Sequence, residues 1–130
     1  MRVITGRFKG VPLTTPRSET RPTTDRTKEA MFSRLDSTGI LSGARVLDLF
    51  GGTGALGIEA LSRGANELGG VEASGPAAKL IAHTLTALRH NPAWEESMNA
   101  RIVHAKAERY AAKAKVGEPF DVVLIDPPYA

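Results

Sequence analysis

From residue 45 onward, short apolar runs alternate with segments that have helical spacing. Apolar runs predict strands at 45–50 (RVLDLF), 67–72, 101–104 and 120–125 (FDVVLI). Apolar residues at helical spacing, followed by glycine, asparagine or proline, predict helices at 55–63, 77–89 and 107–115. Strict alternation of helices with strands that are apolar on both faces is typical of a parallel sheet with helices on both faces. The pattern therefore predicts an α/β fold.

The first part of the chain has a different pattern. Apolar and basic positions alternate over residues 1–16, which favours a short β-hairpin or a pair of edge strands. Thr23 and Thr24 are candidate N-caps for one helix that precedes the α/β region. We therefore divide the chain into a basic N-terminal hairpin extension, residues 1–20, and one α/β domain, residues 21–130.

Composition narrows the class of protein. The chain has 130 residues and no cysteine, which excludes disulfides and cysteine chemistry and favours a reducing compartment. No apolar run is long enough to span a bilayer, so we expect a cytoplasmic protein. Three histidines at distant positions do not predict a metal site, and we expect a monomer.

Positive charge is concentrated at the N-terminus. Residues 1–28 hold seven basic and two acidic side chains, whereas the remainder holds ten basic and twelve acidic ones. Such a distribution suits contact with a nucleic-acid backbone. A solvated basic edge that resists aggregation is an equally good interpretation of the charge alone. The candidate RNA-binding residues are Arg2, Arg7, Lys9, Arg21 and Arg26.

A glycine-rich segment follows the first α/β strand directly. Gly52, Gly54 and Gly57 match the GxGxxG pattern between a strand and a helix, and Glu72 follows 20 residues after Gly52. Glycines let the backbone approach a ligand closely, and an acid at the end of the second strand can accept both hydroxyl protons of a ribose. The spacing predicts a nucleoside-containing cofactor. The alternative is a tight loop beside an unrelated surface carboxylate.

Asp48 bears on which cofactor is bound. A carboxylate three residues before Gly51 would repel a pyrophosphate, but it could hold an ammonium group directly or through water. S-adenosylmethionine has an α-amino group, a sulfonium and no phosphate. The charge at this position therefore favours S-adenosylmethionine over a dinucleotide.

The fourth strand ends in Asp126-Pro127-Pro128-Tyr129. In a parallel sheet these residues share the carboxyl edge with the glycine loop. The prolines remove two N–H donors, so carbonyl oxygens and the Asp126 carboxylate can accept an amino group while Tyr129 stacks on a planar ring. The alternative is a rigid turn that only ends the strand.

Five segments carry a resemblance to a known family: MRVITGRFKG, TRPTTDRTKEAMF at 20–32, VLDLFGGTGALGIEALSRGA at 46–65, VEAS at 71–74 and the final DPPY. Together they resemble the RsmD family of bacterial 16S ribosomal RNA (guanine-N2)-methyltransferases, which have the Rossmann-like class I methyltransferase fold. The resemblance implies that a methyl group passes from S-adenosylmethionine to N2 of a guanine in the small ribosomal subunit, after the base is flipped out.

The resemblance also implies site residues. The catalytic residues are expected to be Asp126, Pro127, Pro128 and Tyr129. Class I enzymes often carry an acid for the adenine amino group where this chain has Lys106, so the backbone near Ala107, or Glu108, is expected to take that role. The cofactor-binding residues are expected to be Asp48, Phe50, Gly51, Gly52, Gly54, Glu72 and Ala107.

The chain departs from the family in length. It stops one residue after DPPY, whereas family members continue with further strands and helices. We therefore expect the C-terminal strands of the fold to be missing and residues 120–125 to form an apolar edge prone to aggregation. The chain would then be the retained part of a longer protein, or a short form with weak activity or none.

Three other functions fit part of the sequence. DPPY suits any exocyclic amine, so an adenine-N6 or cytosine-N4 methyltransferase is an alternative. A catalytically silent RNA-binding module would keep the fold without turnover. A dinucleotide oxidoreductase would use the glycine loop but has no use for DPPY.

Overall fold

The computed structural model describes residues 2–13, 25–49, 54–113 and 119–125, without the side chains of Asp25 and of 111–113. Over these ranges, no helix is both long enough and apolar enough to cross a membrane. The helices and strands are, in chain order, α1 Asp25–Thr38, β1 Arg45–Asp48, α2 Ala55–Ser62, β2 Glu67–Glu72, α3 Gly75–Arg89, β3 Asn99–His104, α4 Ala107–Lys113 and β4 Val122–Leu124.

The strands form one four-stranded sheet in the order β3-β2-β1-β4, and all paired strands are parallel. The prediction of a parallel α/β sheet is confirmed. The chain moves outward from β1 to β3 and then returns to the other side of β1 as β4. The strand order thus reverses at β1, and open α/β sheets bind ligands at the carboxyl ends of the strands beside such a reversal.

Alternate residues of the strands face two different layers. One face packs on α1, α2 and α3, with Phe32, Ile58 and Leu85 against Val46 and Leu68 in one buried cluster. The other face contacts α4. The residues that line the small cavity there include Leu47, Gly69, Val103, Tyr110 and Phe120. Helices therefore cover both faces, as predicted.

The N-terminal segment folds back on itself over the described residues 2–13, as a short hairpin does. An antiparallel bridge pairs Arg2 with Pro12, and the Val3 amide donates to the Val11 carbonyl at 3.0 Å. Its apolar side chains Val3, Phe8 and Leu13 are buried in the domain core. The expected boundary at residue 20, like the Thr23 and Thr24 caps, lies outside the described residues.

Helix α2 supplies further hydrogen-bond partners for the segment. The amides of Ile4 and Thr5 donate to the Glu59 carboxylate at 2.9 and 3.1 Å, and the amide of Phe8 donates to the Ser62 hydroxyl at 2.9 Å. Because these three amides are bonded to the helix, they do not extend the antiparallel pairing of the segment.

A buried ion pair joins α1 to α2. Lys28 and Glu59 are both fully buried, with 3.3 Å from Nζ to Oε1, and Nζ also donates to the Arg2 carbonyl at 2.9 Å. Arg63 approaches the other Glu59 oxygen at 2.8 Å. Lys28, which the sequence places among the basic N-terminal side chains, is therefore an internal charge and not part of a nucleic-acid surface.

Some element boundaries differ from prediction. Helix α3 begins two residues earlier, at Gly75, because the Ser74 hydroxyl caps it by accepting from the Ala77 amide at 3.3 Å. Pro76 fits the first turn, where its missing N–H has no partner to lose. Strand β3 begins earlier, at Asn99, whose amide donates to the Asn66 carbonyl at 2.9 Å.

Candidate functional site

The start of α2 lies next to the carboxyl end of β1. Gly54 caps the helix with φ of +79°, a left-handed conformation that suits glycine, and its carbonyl accepts the first helical hydrogen bond, from Ile58, at 2.9 Å. A Cβ on Gly54 would also lie 3.2–3.3 Å from the side chains of Ile58 and Ile81. The expectation that the turn needs a positive φ is confirmed at this glycine. Phe50, Gly51 and Gly52 lie outside the described residues.

Gly57 sets the distance between α2 and the sheet. A Cβ at this position would lie 2.7 Å from Leu68 Cδ1 and 3.3 Å from Asp48 Oδ2. Only a residue without a side chain lets the helix approach the sheet this closely. The third glycine of the GxGxxG pattern thus has a packing role.

Asp48 is the last residue of β1, and its carboxylate is buried beneath the helix start. Its Oδ2 accepts a hydrogen bond from the Gly57 amide at 3.3 Å. A carboxylate at a helix N-terminus is stabilised by the helix dipole. Asp48 therefore ties the end of β1 to the first turn of α2, a structural role that the sequence pattern did not predict.

Glu72 ends β2 at the same edge of the sheet. Its side chain is half-buried, and Oε2 accepts from the Ser74 amide at 2.6 Å. Its carbonyl accepts from the Ala105 amide at 3.0 Å, which ties it to the chain after β3. The carboxylate is thus held at the carboxyl edge by the turn that leads into α3.

The end of β3 completes this part of the edge. His104 pairs in register with Glu72, and its Nε2 lies 3.0 Å from the Ala73 carbonyl oxygen. Sequence reasoning treated this histidine as isolated. Its register opposite Glu72 is the signal that could have identified it. Lys106 and Glu108 are exposed and Ala107 is half-buried at the start of α4, and the role of these residues in binding adenine stays a prediction.

Strand β4 brings a fourth chain segment to the edge. Leu124 pairs in register with Asp48, and its carbonyl accepts from the Leu49 amide at 3.1 Å. The four residues Asp126 to Tyr129 follow β4 in the sequence and lie outside the described residues.

The candidate RNA-binding residues do not behave alike. Arg2, Lys9 and Arg26 are exposed, and Arg21 lies outside the described residues. Arg7 instead donates to the carbonyls of Leu61 and Ala65 and to the Glu95 carboxylate, at 2.7–2.9 Å. Its guanidinium therefore fastens the N-terminal segment to the domain, and its role in binding RNA stays a prediction.

No group of three or more possible metal ligands occurs within the described residues.

A family model described as "Conserved hypothetical protein 95" matches residues 1–130. The chain belongs to this family. Ribosomal RNA small subunit methyltransferase D from Escherichia coli K12 is 35% identical over 130 residues, which cover 99% of this chain and 60% of that protein. The Bacillus subtilis protein YlbH, provisionally named an rRNA methyltransferase, is 39% identical over 133 residues, covering 99% and 67% of the two chains.

Comparison of structures agrees with the family assignment. The solved structure of Escherichia coli yhhF, provisionally named a methyltransferase, matches all of this chain and 65% of that one, with a TM-score of 0.82 and 35% identity. The resemblance to the RsmD family and the Rossmann-like class I methyltransferase fold are confirmed. The chain spans about 60% of the length of the Escherichia coli relative named above.

Proposed function

We propose that this chain binds S-adenosylmethionine at the carboxyl edge of its sheet and transfers the methyl group to N2 of a guanine in 16S ribosomal RNA. The observation that carries the proposal is the placement of Asp48, Gly54 and Glu72 at one edge, beside the point where β4 leads into Asp126. The names of the relatives support a ribosomal RNA substrate.

The described residues fit such a cofactor. At Gly54 the positive φ and the close contacts exclude a side chain. The backbone at the start of α2 therefore stays accessible to a ligand. Glu72 presents a carboxylate that would accept the ribose hydroxyls, and Asp48 fixes the loop and would attract the ammonium group through water. When bound, S-adenosylmethionine supplies an electrophilic methyl group on its sulfonium.

The proposed role of Asp126 to Tyr129 is to hold the target amine. Asp126 and the Pro127 carbonyl would accept its two hydrogens, and Tyr129 would stack on the base. Alignment of the nitrogen lone pair with the methyl group of the sulfonium, for in-line displacement, would provide the main rate enhancement. The hydrogen bonds to Asp126 and to the Pro127 carbonyl would strengthen as positive charge develops on nitrogen. The methylated amine is then acidic enough to release its proton to water.

Exposed basic residues support RNA docking. Arg26 is exposed and lies two residues before Lys28, which binds Glu59 of α2. Contacts to phosphate weaken with salt. We expect binding of RNA to fall with rising salt, and less steeply in Arg26→Ala.

Calorimetry with S-adenosylhomocysteine tests the cofactor site. Glu72→Gln should weaken binding by at least about tenfold, because a charged acceptor for the ribose hydroxyls is lost. Glu67→Gln is the matched control, since Glu67 lies at the opposite end of the same strand and pairs with Arg45. Equal losses in the two variants, or no heat with the wild type, would contradict the proposal.

Labelled S-adenosylmethionine and unmethylated small ribosomal subunits test the reaction. We expect label on guanine N2 with the wild type and a loss of about a hundredfold or more in Asp126→Ala. Label on adenine or cytosine would favour the other amino-methylating enzymes. RNA binding without transfer would favour the silent module, and NADH binding without S-adenosylmethionine binding would favour an oxidoreductase.

A further inference from the structure

The peptide group between Ala73 and Ser74 contacts the Glu72 carboxylate. The N–H of this group, on Ser74, donates to Glu72 Oε2 at 2.6 Å. The C=O of the same group, on Ala73, lies 3.0 Å from His104 Nε2. One rigid, planar unit therefore contacts a carboxylate at one end and an imidazole at the other.

The hydrogen-bond direction follows from the chemistry of the groups. A carbonyl oxygen only accepts, so His104 Nε2 must carry the proton and donate. The sequence of bonds runs from the imidazole N–H to the Ala73 carbonyl, and from the Ser74 N–H to the Glu72 carboxylate. Hydrogen bonds in series polarise one another, so the first bond strengthens the second.

Backbone pairing places His104, whose side chain is exposed, beside the 73–74 peptide. His104 pairs in register with Glu72, and the Ala105 amide donates to the Glu72 carbonyl at 3.0 Å. The ring also lies against Gly75, where an added Cβ would be 3.4 Å from His104 Cε1. The Ala73 carbonyl thus accepts from the His104 imidazole, and the neighbouring Glu72 carbonyl is bonded to the Ala105 amide after β3.

We propose that His104 is a positioning residue for the cofactor site: it orients the peptide 73–74, which in turn holds the Glu72 carboxylate ready for the ribose hydroxyls. The inference rests on the proposed function, because it assigns the task of Glu72 to ribose binding. His104 itself need not touch the cofactor.

The first test needs no ligand. Hydrogen exchange of the Ser74 amide should be about three- to tenfold faster in His104→Ala than in the wild type, the effect of one lost hydrogen bond. His104→Gln, which keeps an N–H donor on a flexible stem, should restore much of the protection. His83→Ala, an exposed histidine on α3, is the matched control and should change nothing. Unchanged Ser74 exchange in His104→Ala would overturn the inference.

The second test measures selectivity. Wild type should prefer S-adenosylhomocysteine over its 2′-deoxy analogue, and His104→Ala should reduce this preference about three- to tenfold. In Glu72→Gln the further His104→Ala change should have little effect, because the two residues act in series. If His104→Ala weakens the binding of both ligands equally, or if the losses from His104→Ala and Glu72→Gln add, His104 has only a structural role. Altered Ser74 exchange in a protein that binds neither ligand would instead refute the proposed function and retain the positioning role.

Discussion

At the scale of single residues, Arg63 shows how burial determines the contribution of an ion pair to stability. Its guanidinium contacts Glu59, which is fully buried, and Glu29 and Asp36, which are partly exposed, each at 2.8 Å. Removing one partner of a buried pair costs about 3–5 kcal/mol, whereas exposed pairs contribute about 0–1 kcal/mol. Glu59 is therefore the member that holds α1, α2 and the N-terminal segment together.

The same cluster shifts two pKa values. Burial lowers the pKa of Arg63, but hydrogen bonds to Glu59, Glu29 and Asp36 outweigh it, so the net shift is upward. The Arg63 guanidinium and then the Ser33 hydroxyl lower the pKa of Glu29 below its ordinary value of 4.5. Because the folded-state pKa is the lower one, Glu29 stabilises the native state above pH 4.5, and this contribution is lost as the pH falls through the folded-state value.

Glu29→Gln should therefore flatten part of the acid limb of the stability curve. Urea unfolding between pH 7 and pH 3 should show a smaller loss of stability on acidification than in the wild type, and the two proteins should converge at the acid end. Glu96→Gln, an exposed acid in the loop before β3, is the control for a change of net charge. Parallel curves for the wild type and Glu29→Gln would contradict this account of the shift.

At the scale of elements, the local pattern was sufficient to predict the strands of the α/β region. All four strands of the α/β region were predicted, because each is an apolar run between turn signals and the parallel arrangement follows from the alternation. Alternation over residues 1–16 predicted that the segment folds back on itself, but not that its amides also bond to Glu59 and Ser62, more than 50 residues away. A local pattern carries no information about partners on a remote helix.

The N-terminal segment approaches α2 closely at Gly6. A Cβ there would lie 2.0 Å from the Ser62 carbonyl oxygen, and φ is +96°. Gly6→Ala should destabilise the protein by about 3 kcal/mol or more, because backbone must move as well as adopt a strained conformation. Trp94, the single tryptophan, stacks on Phe8 with centroids 6.3 Å apart, so its emission should report detachment of the segment.

Gly10→Ala separates the two contributions. Gly10 also has a positive φ, of +85°, but a Cβ there would have no atom within 4 Å. Only the conformational cost of about 1–2 kcal/mol should remain, without a change in Trp94 emission. Similar losses in both variants would mean that contact with Ser62 does not hold the segment.

At the scale of the whole molecule, the sequence predicted that the candidate cofactor-binding residues share one edge of the sheet, because the carboxyl ends of parallel strands meet at the same edge. Asp48, Glu72 and His104 do lie at the carboxyl ends of neighbouring strands. The contact of His104 with Ala73 was not foreseen, since it depends on the path of a turn and on a rotamer. The buried pair of Lys28 and Glu59 was missed for a similar reason: their proximity depends on how α1 packs on α2.

The exposed side chains of the fourth strand lead us to expect self-association of the 130-residue polypeptide. Within the described residues β4 pairs only with β1, and Val123 and Ile125 are 47% and 62% exposed. An apolar edge strand is a template for pairing with another chain.

Sedimentation velocity at rising concentration should therefore show self-association of this polypeptide. Ile125→Lys should reduce the self-association, because a charge would have to be desolvated in the pairing. Ile40→Lys changes a comparably exposed isoleucine, 43% exposed, between α1 and β1, and should leave association unaltered. If both lysine variants reduce association equally, general charge repulsion and not the β4 edge controls it.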